Sequence, residues 1–193
     1  GVERGANAQE ECLCRCSGLF KCLNVPDAWS GFYMAHRAQH DPIHNDDIIY
    51  TPDVLVFKSD TVKPELMDEA DWYEVDVITC AAPNLREKPS NAFNTGDGKD
   101  AIKITDKDLL AIHEKRLLRI LDVALSNKVE TIVLGAFGCG AFMNNPNVVA
   151  LASKNVVNEY LYAFKNIEFA VYCSPKDDTN YRIFDGVLKP YTK

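Results

Sequence analysis

The sequence lacks a long hydrophobic run, low-complexity tracts and internal repeats. No apolar stretch approaches the roughly 20 residues that a membrane-spanning helix needs. The polar first residues also do not resemble a secretory signal peptide. We therefore expect a protein with no membrane partner, located in the cytoplasm or, in a eukaryote, in the nucleus.

Basic residues are in the minority. The sequence has 21 Lys and Arg residues and 28 Asp and Glu residues, so the formal net charge is −7. This balance argues against a surface built for duplex nucleic acid, because such surfaces are usually basic. A single phosphorylated ligand is still possible, because backbone N–H groups can bind phosphate without lysine.

A C-x-x-C pair, the more common start of a structural zinc site, is missing although there are seven cysteines. Four of them lie in the run EECLCRCSGLFKC at residues 10–22. On a helix Cys14 lies about 200° around the axis from Cys12 and Cys16, so the three cannot converge on one ion. We interpret Cys12 and Cys16 as core residues with free thiols, and we expect no metal site and no cofactor.

Three histidines, His36, His40 and His44, are spaced by four residues, but Pro42 interrupts any helix there. We interpret them as loop residues within a loop-like segment at 24–47, and a zinc-dependent enzyme remains a rival interpretation.

Hydrophobic periodicity predicts the remaining elements. A helix with a buried stripe of Ala8, Cys12, Cys16 and Leu19 is expected over about 6–20, and a second over Asp106–Ser126, capped by Thr105. Its His113 is expected at the surface or boundary. Strands are expected at IIYTPDVLVF, VDVITCAAP, TIVLGAF and IEFAVYCSP. VDVITCAAP is expected to be covered on both faces and the last two to be buried, with Cys80 and Cys173 inside buried strands.

This order of strands and helices predicts an α/β class, a three-layer α/β/α sandwich with a mixed, mostly parallel sheet. A length of 193 residues suits one domain, 1–193, and a monomer.

A glycine-rich turn, GAFGCGAF at Gly135–Phe142, follows a predicted strand and precedes a helix. Glycines let successive N–H groups face one concavity, which binds phosphate, and ligands of open α/β sheets lie at this end of the strands. A plain steric need for glycine in a tight connection is the alternative.

An acid pair, Glu10 and Glu11, stands at a predicted helix start after GVERGANA. Acids are common in a first helical turn, where they offset the helix dipole. Beside a diphosphate-binding loop, however, a carboxyl group could protonate a leaving oxygen and then activate water.

Six ordered blocks together resemble the bacterial-type poly(ADP-ribose) glycohydrolases, a family built on a macrodomain. The blocks are GVERGANAQEE, LCR, IIYTPDVLVF, CAAPN, LGAFGCGAF and NYRIF. The family pattern has two more glycines and a further segment before Gly1, so we expect the chain to be incomplete at its N-terminus.

The resemblance implies a role for each matching residue. Glu11 matches the catalytic glutamate, and Glu10 matches the neighbour that helps hold the substrate ribose. Residues implied to bind the ligand, ADP-ribose or poly(ADP-ribose), are Gly1, Gln9, Asn84, Gly135, Gly138, Cys139, Gly140, Ala141, Phe142, Asn180 and Tyr181. ADP-ribosylated proteins are further expected partners. A reader that binds ADP-ribose without cleaving it, and a hydrolase for single ADP-ribose groups, remain open alternatives.

Overall fold

The computed structural model describes residues 8–39, 41–61, 63–87 and 102–189. The chain divides into two compact units. The first unit comprises Gly1–Ala38 and Asp47–Cys80, and the second comprises Gln39–Asp46 and Ala81–Lys193.

Short helices open the first unit. They are α1 (Gln9–Cys16), α2 (Leu19–Leu23), α3 (Pro26–Ala28), a π-helical turn (Trp29–Met34) and α4 (Ala35–Gln39). The loop expected at 24–47 is therefore wrong for most of its length. Helical backbone with aromatic packing, such as the Phe32 and Tyr33 rings at 5.2 Å, replaces it.

The helix expected over 6–20 is interrupted at Ser17, whose backbone is extended and pairs with Val56. The Ser17 hydroxyl donates to the Leu13 carbonyl at 2.7 Å and accepts from the Leu19 N–H at 3.2 Å, so it ends one helix and starts the next. The expected stripe is wrong in two positions, because Ala8 is exposed and Cys12 only half-buried. Buried Cys14 packs instead with Leu19, Leu23 and Val54.

The sheet of the first unit is an antiparallel pair, β1 (Ile48–Val56) with β2 (Tyr73–Cys80), and a 3-10 turn at Glu69–Asp71 precedes β2. The register shifts between Thr51 and Val54. The expectation that β2 is buried on both faces is wrong. Its first half, Tyr73–Asp76, is exposed and its second half only half-buried, Cys80 included, because β1 is its one paired strand among the described residues.

The second unit alternates helices and strands: α5 (Asp106–Ser126), β3 (Thr131–Leu134), α6 (Pro146–Tyr160), β4 (Asn166–Phe169) and α7 (Thr179–Leu188). β3 and β4 pair in parallel, from Thr131 opposite Asn166 to Leu134 opposite Phe169. The expectation that both strands are buried is wrong, because only Ile132 is buried and alternate residues of each strand are exposed. α6 packs between α5 and α7. β4 ends four residues before Cys173, which is exposed, so the expectation of a buried thiol there is wrong.

Helix α5 follows the expected pattern for the most part. The Thr105 hydroxyl caps it by accepting from the Asp108 N–H at 3.1 Å. Of the four residues expected in its buried stripe, Ile120, Leu121 and Ala124 are buried, whereas Leu117 is only half-buried. The same face also carries His113, which is only 2% exposed. The expectation of a surface histidine is therefore wrong, because the turn before α6 covers it.

Arg116, one turn after His113, is also only 2% exposed. Its guanidinium donates to the carbonyls of Ile43 at 2.7 Å, Ala81 at 2.9 Å and His44 at 3.0 Å, and to the Asp46 carboxylate at 3.1 Å. One buried side chain therefore ties the 42–46 segment and the 81–84 segment to α5.

We expect Arg116→Met to lower the free energy of unfolding by about 3–5 kcal/mol, because three carbonyls and a carboxylate lose their buried donor. Urea unfolding monitored by circular dichroism measures this. Arg119→Met is the matched control, since Arg119 is exposed on the same helix. Equal unfolding midpoints for the two variants would contradict the structural role given to Arg116.

Candidate active site

The acid pair lies in the first turn of α1. Ala8 precedes the helix in an extended conformation without a side-chain cap, and Gln9 is exposed while Glu10 and Glu11 are half-buried. The positive end of the helix dipole favours acids at these positions. Two neighbouring carboxyl groups therefore stand at one helix end, as the sequence predicts.

Glu10 is held by an aromatic residue from the π-helical turn. The Tyr33 hydroxyl donates to Glu10 Oε2 at 3.3 Å. The Tyr33 ring packs against the core of Cys14, Leu19, Leu23 and Val54. π-Helical turns are frequent at functional sites, because they shift the side chains that follow around the helix axis.

The surroundings of Glu10 disfavour its charged form. Burial raises its pKa above the ordinary value, and the negative charge of Glu11 adds to the increase. The hydrogen bond from Tyr33 acts in the opposite direction, because it stabilises the carboxylate. Glu10 thus carries both properties common in working carboxyl groups, a perturbed pKa and a fixed orientation.

The neighbouring thiols are poor candidates for the chemistry. Burial, with the charges of Glu10 and Glu11, raises the pKa of Cys14 to about 11, and burial also raises that of Cys16. The Cys16 thiol donates to the Ser59 carbonyl at 3.4 Å. Both groups are therefore protonated thiols at neutral pH, whereas nucleophilic attack and metal binding need the thiolate.

Within the described residues, no group of three or more His, Cys, Asp or Glu side chains could hold a metal ion. His36 lies on α4, so the expectation of a loop residue there is wrong, whereas His44 lies outside any helix or strand as expected. His40 lies outside the described residues.

The glycine-rich turn Gly135–Phe142 connects β3 to α6 in the second unit. Gly138 has a φ of +76°, and a Cβ there would lie 2.7 Å from the Asn144 amide nitrogen and 2.9 Å from Ala82 Cβ. Both facts require glycine at this position. A Cβ at Gly140 would meet no atom within 4 Å, so its glycine is not required by sterics.

The hydrogen bonds inside the turn use only some of its backbone N–H groups. The N–H groups of Phe137, Cys139 and Met143 donate to carbonyls within the turn, at 2.9–3.0 Å. Among the described residues, no acceptor takes the N–H groups of six turn residues: Gly135, Ala136, Gly138, Gly140, Ala141 and Phe142. Unused backbone donors close together form an anion-binding concavity.

Cys139 packs with its side chain into the core of the second unit, beside Val149, Ala150, Phe184 and Leu188. Burial raises the pKa of its thiol to about 12, so the thiol stays protonated at neutral pH. Its side chain therefore anchors the turn.

Asn84 lies next to the turn. Its side chain is completely buried, its N–H donates to the Pro42 carbonyl at 2.8 Å, and the next residue, Leu85, donates to the Phe142 carbonyl at 2.9 Å.

The other predicted ligand-binding residues lie elsewhere. Asn180 and Tyr181 are in the first turn of α7, where Asn180 is half-buried and Tyr181 is exposed. Gly1 lies outside the described residues.

Sequence reasoning missed two buried polar residues near the turn, Asn144 and Arg116, and gave His113 no role. Asn144 is 2% exposed and bonds to His113. One signal in the sequence could have found them. His113 and Arg116 share the helical spacing of the buried apolar residues of α5, and a buried polar side chain needs a hydrogen-bond partner elsewhere in the chain.

A family model for the microbial-type PARG catalytic domain matches residues 1–59. The structure of poly(ADP-ribose) glycohydrolase (PARG) from Deinococcus radiodurans in complex with ADP-ribose matches the chain at 30% sequence identity with a TM-score of 0.74. The match covers 97% of this chain and 69% of that one. The chain belongs to the microbial-type poly(ADP-ribose) glycohydrolase family.

Other solved glycohydrolases of the family agree with this assignment. A second crystal form of the Deinococcus enzyme with ADP-ribose gives a TM-score of 0.80 at 29% identity, covering 99% of this chain and 71% of that one. The enzyme from Thermomonospora curvata, bound to the inhibitor ADP-HPD, gives 0.78 at 32% identity, covering 95% and 63%. No curated protein matches the sequence.

These matches confirm the macrodomain-like α/β fold of the glycohydrolase family predicted from the sequence. In the described part of the chain, no helix is both long and apolar enough to cross a membrane.

We expect Tyr33→Phe to raise the pKa of Glu10 further. The variant keeps the burial and the charge of Glu11 but loses the hydroxyl that stabilises the carboxylate. Titration of the glutamate side-chain carboxyl carbons by NMR measures the shift. Tyr50→Phe is the control, because the Tyr50 hydroxyl bonds to Asp76 instead. A Glu10 pKa that stays unchanged or falls in Tyr33→Phe would contradict the role of this hydrogen bond.

Proposed function

We propose that the chain hydrolyses the ribose–ribose O-glycosidic bonds of poly(ADP-ribose) and releases ADP-ribose. The observation that carries this proposal is the Glu10–Glu11 pair at the start of α1, inside the region 1–59 that matches the family's catalytic domain. A protein that only binds ADP-ribose has no use for such a pair.

Glu11 acts as general acid and then as general base. Its carboxyl proton passes to the leaving ribose oxygen as the glycosidic bond breaks and an oxocarbenium-like centre forms. The resulting carboxylate takes a proton from the attacking water, whose oxygen bonds to the anomeric carbon. The proton is thereby returned to Glu11, and no second carboxylate is needed as a nucleophile.

Glu10 holds the substrate ribose beside Glu11. A carboxyl group can accept hydrogen bonds from ribose hydroxyls, and the Tyr33 contact fixes the direction in which it does so. Fixing this side chain before the substrate binds reduces the entropy that is lost on binding.

The glycine-rich turn binds the diphosphate of ADP-ribose. Its unused N–H groups supply donors, and the required glycine at Gly138 lets the backbone adopt the shape. Backbone donors suit a chain of net charge −7, because they attract phosphate without a cluster of cations. Side chains proposed to complete the ligand contacts are Gln9, Asn84, Phe142, Asn180 and Tyr181, with Gly135, Cys139, Gly140 and Ala141 contributing backbone.

We further propose that residues 1–193 belong to a single catalytic domain that works as a monomer, on poly(ADP-ribose) and on ADP-ribosylated proteins. We propose the cytoplasm or, in a eukaryote, the nucleus as its location, because free cysteines are typical of reducing compartments.

We expect Glu11→Gln to lower the rate of ADP-ribose release from poly(ADP-ribose) by about 10²–10⁴-fold, because glutamine cannot donate or take the proton. The assay uses the complete natural protein and quantifies free ADP-ribose by chromatography. Affinity for ADP-ribose should persist, since the diphosphate contacts are untouched.

Glu130→Gln is the control, because Glu130 forms an exposed ion pair with Lys165 at 2.7 Å. Its rate should equal that of the wild type. Wild-type protein that binds ADP-ribose but releases none would instead indicate a reader, and full activity in Glu11→Gln would refute the catalytic role of Glu11.

A further inference from the structure

The buried amide of Asn144 lies where the glycine-rich turn ends. Its Nδ2 is 2.6 Å from the Pro83 carbonyl, 3.0 Å from that of Gly138 and 3.3 Å from that of Phe142. Its backbone N–H also donates to the Gly138 carbonyl at 3.1 Å. An amide nitrogen has two hydrogens, so three carbonyls compete for two donors and all three are drawn toward this side chain.

His113 fixes the direction of that amide. Asn144 Oδ1 is 2.9 Å from His113 Nε2. Because carbonyl oxygens surround Nδ2, the amide oxygen has to face the histidine, and Nε2 therefore carries the proton that is donated to it. The His113 ring is in turn packed edge-on against Phe137 of the turn, at 5.8 Å between centroids.

As a consequence, several backbone carbonyls of the turn are hydrogen-bonded within the described part of the protein, whereas several of its backbone N–H groups are not. Asn144 occupies the Gly138 carbonyl with both its side chain and its backbone, and it shares the Phe142 carbonyl with the Leu85 N–H. The carbonyls of Ala136 and Gly140 accept from the Cys139 and Met143 N–H groups. Among the described residues, the N–H groups left without an acceptor include those of Gly138, Gly140, Ala141 and Phe142 in the second half of the turn. A carbonyl that rotated toward an anion would repel it, so an anion site needs its carbonyls held elsewhere.

We propose that Asn144, oriented by His113, is a positioning residue that holds the carbonyls of the glycine-rich turn away from the ligand and leaves its N–H groups to a diphosphate. This inference rests on the function proposed for the turn. Neither residue touches the substrate. Their effect is on the affinity for the diphosphate, and the proton transfers of Glu11 do not involve them.

The test compares Asn144→Ala with Asn145→Ala in the complete protein. Asn145 caps α6 by accepting from the Asn147 N–H at 3.1 Å, so its loss destabilises the neighbouring helix start without freeing a turn carbonyl. Calorimetry gives the Kd for ADP-ribose and for inorganic diphosphate, below the unfolding temperature of every variant.

We expect Asn144→Ala to weaken both ligands by about 10- to 100-fold, the effect of losing one hydrogen bond to a charged group. Asn145→Ala should bind as the wild type does. In the hydrolysis assay KM should rise while kcat changes little, because Glu11 is intact. Equal affinities for Asn144→Ala and wild type would overturn the inference, and so would equal losses in the two asparagine variants at equal destabilisation.

A second pair of variants decides the matter if Asn144→Ala does not fold. His113→Leu removes the donor to Asn144, whereas the amide of His113→Gln can replace it. We expect weaker diphosphate binding in the first and recovery in the second, and equal affinities in both would overturn the inference. Wild-type protein that binds neither ligand would overturn the proposed function itself, and this inference with it.

Discussion

In the described part of the second unit, the conformation of the segments around α5 depends on buried polar groups that need hydrogen-bond partners. Helix α5 carries Arg116 and His113 on its inner face, where each replaces an apolar residue of the stripe. Arg116 satisfies three carbonyls of the 42–46 and 81–84 segments, and His113 satisfies Asn144. Unpaired buried carbonyls are costly, so these segments can take few other conformations. The conformation of the turn that we assign to the diphosphate therefore depends on α5, through the contact of His113 with Asn144.

The first unit solves a different problem, which is to keep two acids together at a helix start. The Tyr33 hydroxyl and the helix dipole favour charge on Glu10, while burial and the negative charge of Glu11 oppose it. The raised pKa of Glu10 means that its ionisation costs folding free energy. The folded state therefore favours the protonated carboxyl group of Glu10. This contribution to the free energy of unfolding is present at low pH and is lost as the pH rises through the folded-state pKa. Functional sites commonly retain such a cost, because the carboxyl pair is needed for the reaction.

Local patterns in the sequence predicted the parts that depend on local physics. The Thr105 cap, the buried stripe of α5 and the glycine-rich connection between β3 and α6 each follow from the residue types within one element. The helices between Pro26 and Gln39 escaped prediction, since proline, glycine and aromatics there mask a helical period and a π-helical turn shifts it. Cys14 lies in the core instead of Cys12 because α2 and β1 cover its side of α1 with Leu19, Leu23 and Val54. His113 was misjudged because only contacts distant in sequence, those with Asn144, make its burial possible.

The chemistry assigned to this chain concerns one bond among several in poly(ADP-ribose). The most direct test is mass spectrometry of the products that the complete protein forms from purified polymer. Cleavage at the ribose–ribose glycosidic bond predicts free ADP-ribose as the main small product. Phosphoribosyl-AMP, which arises from cleavage of the diphosphate, or intact polymer in the presence of protein that binds ADP-ribose, would contradict the account.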